Sequence, residues 1–161
     1  MRRRSAGLLM FRRRAGGLEF FLIHPGGPFF ARRSAGVWSI PKGEGLPGED
    51  PQAVAQREFM EETGQSWEAC GGREAFPLGS VRHPGGKIVE AWGFEGDWPR
   101  GARLQSNTFE LEWPPRSGRR QSFPEADQGG FFTEAEARQR IHPAQAAFLD
   151  RVIAAVAGSG A

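Results

Sequence analysis

Three glutamates crowd one short stretch of the chain, Arg57 to Gly64, which reads REFMEETG. A helix places residues i and i+4 on one face, about 6 Å apart along its axis. Glu58 and Glu62 are therefore neighbours, and Glu61 stands beside them. Like charges at that spacing destabilise a helix by roughly 0.2–0.5 kcal/mol per pair. They also fall in its last turns, where the helix dipole disfavours negative charge. A helix that tolerates both penalties is expected to have a cation that removes them. Clustered carboxylate oxygens suit hard divalent ions, Mg2+ or Mn2+.

The elements that must hold these groups are partly legible. Asp50-Pro51 opens a helix well, because Asp caps it and Pro loses nothing at the first helical position. Gly64 fits the place just past its end. Ala53, Val54, Phe59 and Met60 supply its apolar surface. Leu8 to Phe11 and Phe20 to Ile23 read as two buried strands joined by a tight loop. Residues 25–36 are rich in Pro and Gly and read as a loop. Val37 to Ile40 is a brief extended piece stopped by Pro41. Leu78 to Val81 and Lys87 to Phe94 are further strands around a turn at His83-Pro84-Gly85-Gly86. Residues 96–130 read as loop-rich, and Phe131-Phe132 as a short last strand. Thr133 and Glu136 form a capping box for a helix that ends before Pro143. Leu149, Val152, Ile153 and Val156 follow helical spacing and mark an amphipathic terminal helix packed on the core. This mixture predicts an α/β fold, a mixed sheet covered on both faces. One domain over residues 1–157 is expected, with residues 158–161 as a frayed tail.

The 161 residues suffice for a self-sufficient core. Cys70 is the single cysteine, so an internal disulfide and a thiolate metal cluster are excluded. It reads as an inert small residue in a reducing, cytoplasmic setting. No apolar run approaches the roughly 20 residues that span a membrane. The net charge is +2, and all but two of the 21 basic residues are arginine. Arginine suits bidentate phosphate contacts, although a codon bias explains the general excess as well. No recognition motif for nucleic acid accompanies the basic runs.

The acidic stretch belongs to a longer pattern. It resembles the signature of the Nudix hydrolases, G-x5-E-x7-R-E-U-x-E-E-x-G-U, where U is apolar. Gly43, Glu49, Arg57, Glu58, Phe59, Glu61, Glu62 and Gly64 occupy its places, and only Gln65 departs, at a packing position. SAGLLMFR, HPGGPFF, WSIPKGE, GGKIVEAW and FELEWPPRSGRRQSFPE are similar to bacterial nucleotide pyrophosphohydrolases of this family. The resemblance implies an α/β/α sandwich around a central mixed sheet. It also implies metal-dependent hydrolysis of a diphosphate bond in a nucleoside diphosphate derivative.

Glu58, Glu61 and Glu62 match the family's metal-ligating glutamates, and the backbone carbonyl of Lys42 matches another ligand. Glu49 and Arg57 match the pair that orients the ligands, and Gly43 lets the loop approach the helix. Glu125 matches an extra loop acid, as ligand or general base; Glu90 and Glu58 are the alternatives for the base. Trp38 to Glu44 resembles the approach seen in diadenosine tetraphosphate and diphosphoinositol polyphosphate hydrolases, so Lys42 can meet an additional phosphate. Arg116, Arg119 and Arg120 either close over the polyphosphate or form a solvated loop. Trp38, Trp92 and Trp113 are candidate stacking surfaces, with packing as the stronger reading. His24, His83 and His142 lack metal-ligand spacing and default to structural roles.

The expected substrate is a small nucleotide, an NTP or a dinucleoside polyphosphate. Inositol pyrophosphates and capped RNA ends are the substrate alternatives, and a non-catalytic nucleotide sensor is the alternative of another class. A nucleic-acid partner is disfavoured, and a homodimer is left open.

Overall fold

A computed structural model describes residues 4–159. The strands are β1 (Arg4–Arg14), β2 (Gly17–Pro25), β3 (Lys42–Glu44), β4 (Phe76–Arg82), β5 (Ile88–Glu95), β6 (Thr108–Glu112), β7 (Arg120–Pro124) and β8 (Ala126–Thr133). The helices are α1 (Pro51–Thr63), α2 (Glu134–Arg140) and α3 (Ala146–Ser159). The main sheet runs β4-β5-β1-β2-β8, with β3 also paired to β1, and β6-β7 form a separate hairpin. Only β1 and β5 pair in parallel, so the main sheet is mixed.

Strand alternation sorts the core into two layers. Leu9, Phe11, Phe20 and Leu22 pack on one face with Phe148, Leu149 and Val152 of α3. Leu8, Met10, Phe21 and Ile23 pack on the other with Val54, Ala55 and Phe59 of α1. The helices thus cover both faces, as expected of the α/β/α sandwich.

The strand that matters most for the site is β3. Its parent β1 pairs with β2 only through residues 11–14. Nearer its start, β1 gives the same edge to β3, with Ala6 opposite Gly43 and Gly7 opposite Lys42. Ser39 bridges Ile23, so the chain between β2 and β3 fills the splayed edge. The expected stop at Pro41 is therefore a change of partner, because the Pro41 carbonyl still accepts the Leu8 amide at 3.2 Å.

The loop-rich stretch 96–130 holds elements of its own: β6, β7 and the start of β8 lie there. The first alternates Phe109 and Leu111 with exposed Thr108, Glu110 and Glu112 but is only five residues long, and the second is polar and mostly exposed. At the other end α3 runs to Ser159, and the last residues of the expected tail lie outside those described. Among the described residues, no helix is long and apolar enough to cross a membrane.

Candidate active site

Helix α1 is built as its ends foretold. Asp50 accepts the Ala53 amide at 3.1 Å, and Gly64 takes the left-handed conformation at φ 81° while its amide bonds the Met60 carbonyl. The buried face of α1 is Val54, Ala55, Glu58, Phe59 and Thr63. Glu58 is thus the carboxylate that α1 turns inward, 9% exposed. It lies against β3 at Gly43, and a Cβ on Gly43 would collide with the Glu58 carboxyl. Glycine is required there by close approach, because its own φ is not in the left-handed region.

The other acids gather around Glu58. Glu62 accepts the Lys42 amide at 3.3 Å, which ties the last turn of α1 to β3. Arg57 pairs with Glu49 at 2.5 Å and reaches Glu58 at 3.8 Å and Glu61 at 4.0 Å. Glu49 is fixed in turn by the Leu46 amide at 2.6 Å. The loop before α1 therefore holds Arg57, and Arg57 steadies two glutamates. Glu49 and Arg57 thus stand as an ion pair beside the glutamates.

Glu125 joins the same corner by a route the sequence did not reveal. The end of α1 has carbonyls without helical partners. Asn107 donates to the Glu61 carbonyl at 2.8 Å, and Gln105 donates to the Thr63 carbonyl at 3.0 Å. Asn107 then accepts the Glu125 amide at 2.8 Å. Ser106 locks the next residue, bonding both backbone groups of Ala126 at 3.1 Å. Two backbone bonds thus connect Glu61 to Glu125. Backbone hydrogen bonds of this kind leave no pattern in side-chain types.

The electrostatics record this crowding. Burial first, then the charge of Glu61, pushes the Glu58 carboxyl up to about 7, with Glu125 adding to the rise. Burial also raises Glu62, with Lys42 opposing it and Glu125 and Glu58 reinforcing it. Lys42 is lowered by burial and by the like charge of Lys87. Both lysines of the chain therefore meet here.

His83 and His142 stand beside them with ring centroids 4.6 Å apart. His83 falls to about 4, from burial first and then from His142, Lys42 and Lys87. Gln145, fully buried, donates to Ser39 at 3.0 Å, lies 3.3 Å from His83 and accepts the Ile40 amide at 3.0 Å. His142 also accepts the Ala144 amide at 3.0 Å, so both histidines have structural contacts beside the two lysines. His24 does keep a structural place, buried between Asp127 at 2.7 Å and the Arg33 carbonyl at 2.6 Å.

The expectation of a tightly gathered acid cluster is corrected in one respect. Among the described residues, no three His, Cys, Asp or Glu side chains stand at mutual metal-ligand spacing. Their own repulsion opposes closer approach, Arg57 draws on Glu61, and the Lys42 amide holds Glu62. The donor set still fits a hard cation. It is all oxygen, Glu58 is pressed against Gly43, and the charge of Glu125 disfavours ionisation of both Glu58 and Glu62.

The remaining candidates lie further out. Glu90 faces the α1 side of the sheet, across β1 from Gly43, and lines a cleft of about 380 Å3 with Arg4, Glu44 and Glu49. Arg116, Arg119 and Arg120 are exposed on the β6–β7 hairpin, and Arg120 pairs with Glu110 at 3.5 Å. Trp38 and Trp92 are buried core residues, whereas Trp113 is half-buried against Phe29. Cys70 is buried, and that burial pushes its thiol up to about 11, as suits an inert residue.

The profile of the NUDIX domain matches residues 1–152. The chain belongs to the Nudix family. Solved Nudix structures resemble it over nearly their whole length. An Ap4A hydrolase of C. elegans, in a binary complex, is 24% identical at TM-score 0.65, with 96% of this chain and 98% of that one covered. The Nudix hydrolase RenU of M. smegmatis is 21% identical at TM-score 0.60, covering 98% and 88%. The NUDIX domain of Shewanella oneidensis NrtR, complexed with ADP ribose, is 13% identical at TM-score 0.64, covering 97% and 89%. At such identities the likeness speaks for the fold. No curated protein matches the chain. As a Nudix hydrolase it is a pyrophosphohydrolase acting on nucleotide derivatives, in a family that generally uses divalent metal ions.

Proposed function

We propose that this Nudix hydrolase cleaves a diphosphate bond in a nucleotide rich in phosphate, a dinucleoside polyphosphate or an NTP, with Mg2+ or Mn2+. One observation carries the choice. In a chain whose other basic residues are all arginine, Lys42 and Lys87 converge next to the acid corner. Acids that gather cations and cations that meet phosphate stand side by side, as a substrate with phosphates beyond the scissile bond requires. The similarity to a C. elegans Ap4A hydrolase is in keeping with this reading.

Glu58, Glu61 and Glu62, with the Lys42 carbonyl, would hold the divalent cation. Bound there, it would neutralise charge on the phosphoryl oxygens and help activate water. The protein's own share is positioning. Glu49 holds Arg57, and Arg57 fixes Glu58 and Glu61. Gly43 admits the Glu58 carboxyl. Glu125, clamped to the end of α1, would take the proton of the attacking water as general base. The Lys42 ammonium neutralises a phosphate next to the one attacked. Such a reaction is mostly orientation and electrostatics, which is what this corner offers.

A substrate panel tests the reading. It contains diadenosine polyphosphates, NTPs, ADP-ribose, inositol pyrophosphates and capped RNA, with release of phosphate or pyrophosphate followed under Mg2+ or Mn2+. We expect the fastest turnover on a dinucleoside polyphosphate or an NTP, and little on ADP-ribose. Faster turnover of inositol pyrophosphates or capped RNA would overturn the substrate choice. Binding without release from any member would make the protein a nucleotide sensor.

A further inference from the structure

The β6–β7 hairpin grows directly out of the acid corner. Asn107, just before β6, bonds the Glu61 carbonyl, and Glu125 directly follows β7. The hairpin then leans on the loop after β2. The Gly26 amide bonds the Glu125 carbonyl at 3.0 Å, and a Cβ on Gly27 would meet the Phe109 ring at 2.9 Å. Further out, Trp113 meets Phe29 edge to face, with centroids 5.4 Å apart. Phe29 is 61% exposed, so a large aromatic face is offered to solvent.

The charge at that outer end is uneven. Glu110 is engaged by Arg120, and Glu112 accepts the Gly118 amide at 3.4 Å. Among the described residues, Arg116 and Arg119 have no acidic partner. Arg116 also keeps a side chain at φ 62°, a conformation that favours glycine. Arg119 is six residues from Glu125, so it stands roughly 20 Å along the strand from the acid corner. That is too far to touch the bond being cleaved. An exposed Phe29 ring with Trp113 nearly perpendicular to it, and two arginines without acidic partners three and six residues after Trp113, match the chemistry of a nucleobase with its phosphate.

We propose that Phe29, Trp113, Arg116 and Arg119 form an outer subsite for a second nucleoside phosphate unit, one beyond the diphosphate held at the acid corner. The base lies on the exposed Phe29 ring and abuts Trp113, and the arginines meet its phosphate. This rests on the reading of the acid corner as the hydrolytic site. It refines the choice of substrate, since a lone NTP has no second nucleoside. The second unit can belong to a dinucleoside polyphosphate or to the next nucleotide of a 5′-triphosphorylated oligonucleotide.

Steady-state kinetics separate the possibilities, comparing wild type with Phe29→Ala/Trp113→Ala and with Arg116→Ala/Arg119→Ala. The substrates are diadenosine tetraphosphate, ATP and a short 5′-triphosphorylated oligonucleotide. The expected result is a KM about tenfold higher for a two-nucleoside substrate, with kcat nearly unchanged and ATP unaffected. Trp113→Phe should restore most of the loss. A rise confined to one of the two longer substrates supports the subsite and identifies its source. Equal losses on all three substrates, or unchanged KM throughout, would overturn it. Equilibrium binding of diadenosine tetraphosphate to Glu62→Gln protein makes the same comparison without turnover. Wild-type protein that hydrolyses nothing therefore tells against the acid corner, while unchanged binding in the hairpin variants tells against the subsite.

Discussion

Glu58 and Gly43 belong together: one needs the space that the other leaves empty. Gly43→Ala should displace the Glu58 carboxyl and lower kcat at least about tenfold, with a smaller effect on the melting temperature. Turnover like that of wild type would mean the approach of β3 to α1 does not matter for chemistry. Glu58 also gives a pH signature. Its folded value of about 7 lies above the ordinary 4.5. Between these values the folded protein holds a proton that the unfolded chain has lost, so rising pH works against the fold. The stabilisation is whole below the ordinary value and disappears as pH climbs through the folded one. Metal-free protein should therefore lose melting temperature from about pH 5 to about pH 8 more steeply than Glu58→Gln protein. Equal slopes in a thermal scan would contradict this. At this scale the motif was generous, since it supplied Glu49, Arg57, Glu58, Glu61 and Glu62 in one run. It was silent on Lys87, His83 and Gln145, which reach the site from distant parts of the chain and carry no spacing signal.

The end of α1 does two jobs as an element. It places Glu61 and Glu62, and it anchors the segment that carries Glu125. Gly64 sits at the junction, at φ 81°, and a Cβ there would meet the Gln105 carbonyl oxygen at 2.8 Å. Gly64→Ala should destabilise the protein by about 1–3 kcal/mol and also slow turnover, because Gln105 and Asn107 would shift with it. Denaturant unfolding and kinetics together check this; a stability loss with normal kcat would show that the clamp on Glu125 is dispensable. Losing the Asp50 cap should cost about 1 kcal/mol with little change in activity, seen as a lower urea midpoint for Asp50→Ala. Helix α1 was readable because Asp50, Pro51 and Gly64 are residue types with strong positional preference. Strands β3, β6 and β7 were not. The first has three residues behind a proline, β6 alternates over only five residues, and β7 has no apolar rhythm.

Across the whole molecule, the sheet works as a divider whose splayed edge makes the site. Strand β1 leaves β2 and accepts β3, which carries Lys42 and Gly43 to α1. Each face of β1 is anchored in its own apolar layer, so β3 has a fixed wall to pair with. The sandwich was legible in the apolar runs, in the capping box at Thr133 and in the rhythm of α3. The pairing order was not, because it depends on where strands separate. The account stands on acids that repel one another unless a divalent cation joins them. Calorimetric titration with Mn2+ tests that directly, comparing wild type with Glu58→Gln and Glu62→Gln. Saturable binding to wild type, weakened at least about tenfold in either variant while both keep their fold, is the predicted result. Equal Mn2+ affinity in all three proteins, or none in wild type, would contradict it.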